Sequence, residues 1–107
     1  MSDPILTVQV FAGTVEAASP EFKGMRAPAT LTLIEREADF ECKFVFFVGE
    51  RLALTVRAPK ANASAFEGVA RDPRGWDVSF KAELIGRRVT GSYRQPHDWG
   101  GFALEVV

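Results

Sequence analysis

The chain has 107 residues, enough for one domain with its own core, and its 13 basic and 14 acidic residues give a formal net charge of -1. A nucleic-acid-binding domain usually carries a basic excess, and a membrane-spanning helix needs about 18 consecutive apolar residues, so the sequence argues against both. The single cysteine excludes an internal disulfide, and a start without a basic and apolar leader predicts a cytoplasmic protein.

Strand-forming residues dominate the composition. Nine Phe, two Trp and one Tyr stand among many Val and Thr, and Gly or Pro recurs about every ten residues. Short strands at this spacing predict an all-β fold, an antiparallel up-and-down meander of about eight strands. The meander would form a small barrel or a closely packed sandwich, and residues 1–107 would be one domain.

The N-terminal half predicts five strands, at Ile5–Phe11, Thr14–Ala17, Ala29–Ile34, Phe40–Val48 and Arg51–Arg57. Within the fourth strand, Phe44 and its alternate neighbours point into the core, and Cys42 joins them as a small apolar residue. Polar residues of the fourth and fifth strands share one face in either of two arrangements. The fourth strand contains a bulge near Phe46-Phe47, or a three-residue loop joins the two strands. This arrangement leaves Val45 and Phe47 pointing outward.

Four acidic residues alternate at the predicted tip between the third and fourth strands, namely Glu35, Glu37, Asp39 and Glu41. Carboxylates gathered in this way can hold Ca²⁺, but no calcium-binding loop motif accompanies them. One Cys and one His also cannot complete a usual zinc site. The sequence therefore predicts a solvated hairpin tip, without a metal or a cofactor.

The C-terminal half allows a register to be assigned. The turn Asp72–Gly75 places Phe66 opposite Ala82 and Gly68 opposite Phe80, with Gly75 in the left-handed conformation. A type II′ turn at Gly86-Arg87 then places Leu84, Ala82 and Phe80 opposite Val89, Gly91 and Tyr93. A long loop, 94–101, brings Phe102, Leu104 and Val106 opposite Tyr93, Gly91 and Val89. This register separates an apolar face from a polar face, with Gly91 on the packed side.

The segment from Gly86 to Gln95, followed by Gly100-Gly-Phe-Ala-Leu, resembles the closing hairpin of calycin-like barrels, the class that includes lipocalins and avidins. The resemblance covers about the last twenty residues. It implies a barrel with a cavity for a small molecule, and it supplies no functional residues of its own.

The loop between the last two strands is the best candidate for a binding site. It holds the single histidine, His97, together with Asp98 and Trp99, and long loops on a rigid sheet often carry function. A His-Asp pair can act as a general base, although neighbours in a loop usually point apart. We expect ligand contacts at Trp76, Tyr93, His97, Asp98 and Trp99, and we assign no catalytic residue.

Two functions remain open. The first is a non-catalytic interaction module that forms a homo-oligomer or docks on a partner protein through Val45 and Phe47, because exposed apolar residues favour association. The second is a calycin-like barrel that binds a small hydrophobic ligand, with a weak enzymatic role at its open end as a further option. An end cavity of about 300 Å³ or more would favour the second.

Overall fold

A computed structural model describes residues 4–47, 51–60, 64–71 and 75–107. These residues form eight strands: β1 (Thr7–Ala17), β2 (Arg26–Glu35), β3 (Asp39–Phe47), β4 (Arg51–Pro59), β5 (Ala65–Arg71), β6 (Asp77–Ile85), β7 (Arg88–Arg94) and β8 (Trp99–Val106). All seven pairings are antiparallel, in the order β4-β3-β2-β1-β8-β7-β6-β5.

The sheet curls until its two edge strands meet. A β-bridge between Lys60 and Phe66 connects the end of β4 to the start of β5. The result is a nearly closed barrel, so the predicted all-β meander is confirmed and the barrel is the packing that the chain adopts. The described ranges contain no helix that is long and apolar enough to cross a membrane.

Strand β1 runs without interruption where the sequence predicted two strands, Ile5–Phe11 and Thr14–Ala17. Gly13 explains the difference, because it lies where β8 passes very close. A Cβ at Gly13 would overlap the carbonyl oxygen of Ala103 and lie 2.9 Å from the Cα of Leu104. Gly13 therefore permits tight coiling within one strand and does not end it.

The polar pairing predicted between β3 and β4 is confirmed. Glu41 lies opposite Arg57, and Phe47 lies opposite Arg51. The connection therefore spans three residues, 48–50, which lie outside the described residues. Of the two arrangements that the sequence left open, the three-residue connection is the one that the pairing requires.

The predicted register of β5 and β6 is confirmed. Phe66 lies opposite Ala82, and Gly68 lies opposite Phe80. Gly75 has a φ of 89°, the left-handed conformation expected of it. The other turn residues, 72–74, lie outside the described residues.

The hairpin of β6 and β7 also has the predicted register. Ala82 lies opposite Gly91, and Phe80 lies opposite Tyr93. Gly86 has a φ of 61° while Arg87 has a negative φ, as a type II′ turn requires. This hairpin brings Tyr93 to the inner face near one end of the barrel.

The predicted register of β7 and β8 is wrong by two residues. Tyr93 lies opposite Gly100 and Gly91 opposite Phe102, because β8 begins at Trp99 and the connection is shorter than expected. The backbone N–H of Gln95 donates to the carbonyl oxygen of Asp98 at 2.6 Å and closes a tight turn. A shift of two residues leaves each side chain on its predicted face.

Phenylalanine side chains fill the middle of the barrel. The Phe44 ring packs edge-on against the rings of Phe80 and Phe102, with centroids 5.2 and 5.6 Å away. Cys42 is fully buried and belongs to the same hydrophobic core. Burial, followed by the charges of Glu41 and Asp39, raises the pKa of its thiol to about 12, which keeps it protonated at neutral pH.

The end of the barrel near the β2–β3 connection is closed by rings and ion pairs. Phe40 and Phe66 pack with centroids 4.7 Å apart, and the Lys60 ammonium lies 5.0 Å from the centre of the Phe40 ring. Lys60 Nζ also bonds to Glu35 at 2.8 Å, and this partner lowers the pKa of Glu35. The acidic tip predicted to be solvated is thus partly paired with cations.

Candidate functional site at the open end of the barrel

Among the described residues, the opposite end of the barrel is open. Strands β1, β3, β5 and β7 end here and β2, β4, β6 and β8 begin here, since successive strands alternate in direction. A cavity of about 740 Å³ lies among them. The central phenylalanines lie below it, so the barrel is filled at one end, and its described residues leave a partly open cavity at the other.

The walls of the cavity are apolar because they are made by inward-facing strand residues. They include Val15 and Ala17 from β1, Ala27 from β2, Leu54 from β4 and Val78 from β6. Ala17 and Ala27 are the small members of this group, and they leave space that larger side chains would fill. The interior is therefore suited to an apolar molecule.

Aromatic and polar residues form the rim. Trp76 and His97 lie there with their rings in edge contact, 5.3 Å between centroids. The β1–β2 connection adds Phe22 and Met25. Because Met25 is 63 % exposed and Trp76 is 41 % exposed, these apolar side chains line an entrance that solvent reaches.

Asp98 forms the polar centre of the rim. Its carboxylate accepts hydrogen bonds from the Ser19 hydroxyl at 2.9 Å and from the Tyr93 hydroxyl at 3.3 Å. Ser19 lies 79 positions earlier in the sequence. Ser19 is itself 1 % exposed, and its backbone N–H donates to the carbonyl oxygen of Trp99. These bonds fix the β1–β2 connection to the β7–β8 turn and hold the carboxylate in place.

The electrostatics of this pair keep Tyr93 protonated. Burial raises the pKa of the Tyr93 phenol well above its usual range, and the negative charge of Asp98 and its hydrogen bond add to the increase. Tyr93 is therefore a hydrogen-bond donor throughout the neutral range. It has no means of acting as a base, and its hydroxyl already donates to Asp98.

Four of the five residues that the sequence predicted to contact a ligand line the same cavity. Trp76, Tyr93, His97 and Asp98 line the cavity. Trp99 lies apart from them: Gly100 faces inward against Tyr93, so Trp99 points to the outer face, where the Arg94 guanidinium lies 5.1 Å from the centre of its ring. Its expected ligand contact stays a prediction that this placement does not favour.

His97 and Asp98 do not form a catalytic pair in this structure. His97 contacts Trp76, while the Asp98 carboxylate bonds to Ser19 and Tyr93, and no hydrogen bond joins the two neighbours. Among the described residues there is also no group of three or more potential metal ligands. The geometry provides a cavity and a carboxylate held in place at its rim.

The two residues predicted to form an interface occupy different positions. Val45 lies opposite Thr30 and Ala53 on the outside of the barrel and is half-buried by its neighbours. Phe47 is 45 % exposed and lies at the rim of the cavity. An interface at these residues stays a prediction.

Several cavity residues were missed by reasoning from the sequence. Phe22 and Met25 lie in a connection that carries no motif, and Ala17 and Ala27 matter because they are small. Ser19, in the same connection, does not line the cavity but bonds to Asp98. The alternation of β1 and β2 shows that the two alanines face inward. The alternation does not show whether side chains from the other strands fill the space beside these two alanines.

Comparison with known proteins supports the fold alone. No family model matches the chain, and no curated protein matches it. Among solved structures, the chain is similar to a redesigned beta barrel, with a TM-score of 0.66 and 10 % sequence identity over 92 % of this chain and 86 % of that one. At this identity the likeness carries no function.

Proposed function

We propose that the protein is a small-ligand-binding barrel that takes a molecule with an apolar body into its open end and performs no catalysis on it. The observation that carries this proposal is the cavity of about 740 Å³, with apolar walls and a few converging polar groups at its rim. Ligand sites typically have volumes of roughly 300–1,000 Å³ and this distribution of polarity. The resemblance of the C-terminal hairpin to calycin-like barrels supports the same function.

The filled half of the barrel supports binding at one end. Phe44, Phe80 and Phe102 form a floor, so a ligand that enters from the rim meets a closed bottom. The rigid strands hold the walls in place without a ligand, which lowers the entropic cost of binding. The proposal therefore assigns storage, transport or sensing of a small molecule as the type of role.

The neutral dye N-phenyl-1-naphthylamine tests this proposal, because its fluorescence rises when it leaves water. We expect saturable binding with one molecule per chain and a dissociation constant in the micromolar range, on the order of 1–100 μM. Urea-unfolded protein provides the control for non-specific enhancement. A linear, unsaturable response from the folded protein would contradict the proposal.

A second candidate function, self-association, is favoured by the outer face of β1 and β2. Val8 and Val10 are 57 % and 45 % exposed, and Val8 lies opposite Ile34 on the same surface. On β3, Glu41 lies beside Ile34 and Lys43 beside Thr32, so charged residues border this surface, and Val45 lies in the next row, beside Thr30. We propose that a second copy of the chain covers these residues, since symmetric association buries such a surface in both copies.

Sedimentation velocity tests the second candidate. The protein is expected to sediment as a dimer, and Val10→Lys is expected to give a folded monomer because it places a charge in the buried interface. Ser79→Lys, an exposed position on the outer face of β6, is the matched control and should remain dimeric. A wild-type protein that stays monomeric at high concentration would exclude self-association through this face.

A further inference from the structure

We infer that the ligand of the open end is an organic cation, an ammonium group carried on an apolar body. This inference rests on the proposed function, because it assigns a chemical class to the molecule that the same cavity would bind. Three features of the described rim support it: the balance of charge, the surroundings of the Asp98 carboxylate, and the number of aromatic rings.

The balance of charge at the described rim is negative. The lining residues Glu21 and Asp98 are acidic, and the lining residue Arg26 is basic. Arg26 is already engaged, since its Nε lies 2.6 Å from the carboxylate of Glu16, a contact that raises the pKa of Arg26. An incoming anion would therefore meet two carboxylates and a guanidinium that already has a partner.

The Asp98 carboxylate has neutral partners. Ser19 donates to it at 2.9 Å and Tyr93 donates to both of its oxygens at 3.3 Å. In the part of the chain that the structure describes, no Lys or Arg nitrogen lies within 4.0 Å of this group. A carboxylate held in place at the edge of an apolar cavity is stabilised most by a cation, because the hydroxyls orient it without neutralising it.

Aromatic rings surround the same space. Five of the lining residues are aromatic: Phe22, Phe46, Phe47, Trp76 and Tyr93. The face of an aromatic ring carries partial negative charge and attracts an ammonium group, while the same rings pack against an apolar body. Tyr93 connects the two features, since its ring lines the wall and its hydroxyl bonds to Asp98.

Three probes that share a phenyl-alkyl group and differ in charge distinguish the effect of charge on affinity from that of apolar burial: 4-phenylbutylamine, 4-phenylbutanol and 4-phenylbutyrate. The affinity of each probe is measured by competition with N-phenyl-1-naphthylamine at neutral pH. At this pH the amine is cationic, the alcohol is neutral and the carboxylate is anionic. We expect the amine to bind about tenfold more tightly than the alcohol, and the carboxylate to bind more weakly than the alcohol. An amine that binds no more tightly than the alcohol overturns the inference and leaves the proposed function intact.

Substitution of Asp98 locates the charge effect. Asp98→Asn is expected to reduce the affinity for 4-phenylbutylamine about tenfold and to change that for 4-phenylbutanol by less than about twofold. Asp77→Asn is the matched control, because Asp77 is exposed, lies on the outer face and pairs with Arg71. Equal amine affinities of the two variants would overturn the inference.

Glu21→Gln keeps the test decisive if Asp98→Asn does not fold. Glu21 is an exposed rim residue, so its substitution should leave the fold intact and weaken amine binding about twofold. An unchanged or tighter amine affinity in this variant would count against the inference. A failure of all three probes and of the dye to bind would instead remove the proposed function itself.

Discussion

Gly91→Val is expected to lower the free energy of unfolding by about 2 kcal/mol more than Ser92→Val does, because it overfills a packed face. Gly91 lies in β7 between β6 and β8, opposite both Ala82 and Phe102. A Cβ there would overlap the carbonyl oxygen of Lys81 and lie 2.6 Å from Cζ of the Phe102 ring. A valine can be accommodated only if two strands separate or the ring moves.

Ser92 is the matched control because it is the next residue on the same strand and its side chain is exposed on the outer face. Valine is also well suited to a strand, so Ser92→Val should change stability little. Urea unfolding followed by tryptophan fluorescence gives both values. Equal midpoints for the two variants would show that the face of β7 has been assigned incorrectly.

Ala27→Phe is expected to reduce the affinity for N-phenyl-1-naphthylamine more than about tenfold while the protein stays folded. Ala27 is 7 % exposed and lines the cavity, so a phenyl group on its Cβ would extend into space that a ligand needs. Filling a cavity with an apolar group commonly preserves or increases stability. Urea unfolding of the variant checks that a loss of binding does not result from a loss of the fold.

Ala53→Phe provides the control for added aromatic bulk. Ala53 is exposed on the outer face of β4, opposite Val45, and does not line the cavity. We expect this variant to bind the dye as the wild-type protein does. Equal dye affinities for Ala27→Phe and the wild-type protein would place the dye elsewhere and contradict the proposed site.

The sequence predicted the strand faces well because alternation and turn chemistry are local. The Gly86-Arg87 turn dictated that Phe80 lies opposite Tyr93, and the structure has this pairing. The register of β8 was wrong by two residues, because an even shift preserves every face and alternation cannot detect it. Close packing of Gly100 against the Tyr93 ring decides the register, and that contact involves two strands.

The candidate site was predicted in part for the same physical reason. Tyr93, His97 and Asp98 lie within one hairpin, so local spacing brought them together. Ser19 joins Asp98 only when β1 pairs with β8, a contact between the two ends of the chain. The volume of the cavity depends on side chains from most of the strands. These side chains are far apart in the sequence, so no local pattern predicts the volume.

The most direct test of the cavity as a binding site compares the two tryptophan indoles. Trp76 lines the cavity, whereas Trp99 lies on the outer face beside Arg94. In a ¹⁵N–¹H correlation spectrum each indole N–H gives its own signal, and Trp99→Phe assigns the pair. Titration with N-phenyl-1-naphthylamine should shift the Trp76 signal and leave the Trp99 signal in place. A shift of the Trp99 signal alone, or no shift of either signal at saturating dye, would contradict a binding site at the open end.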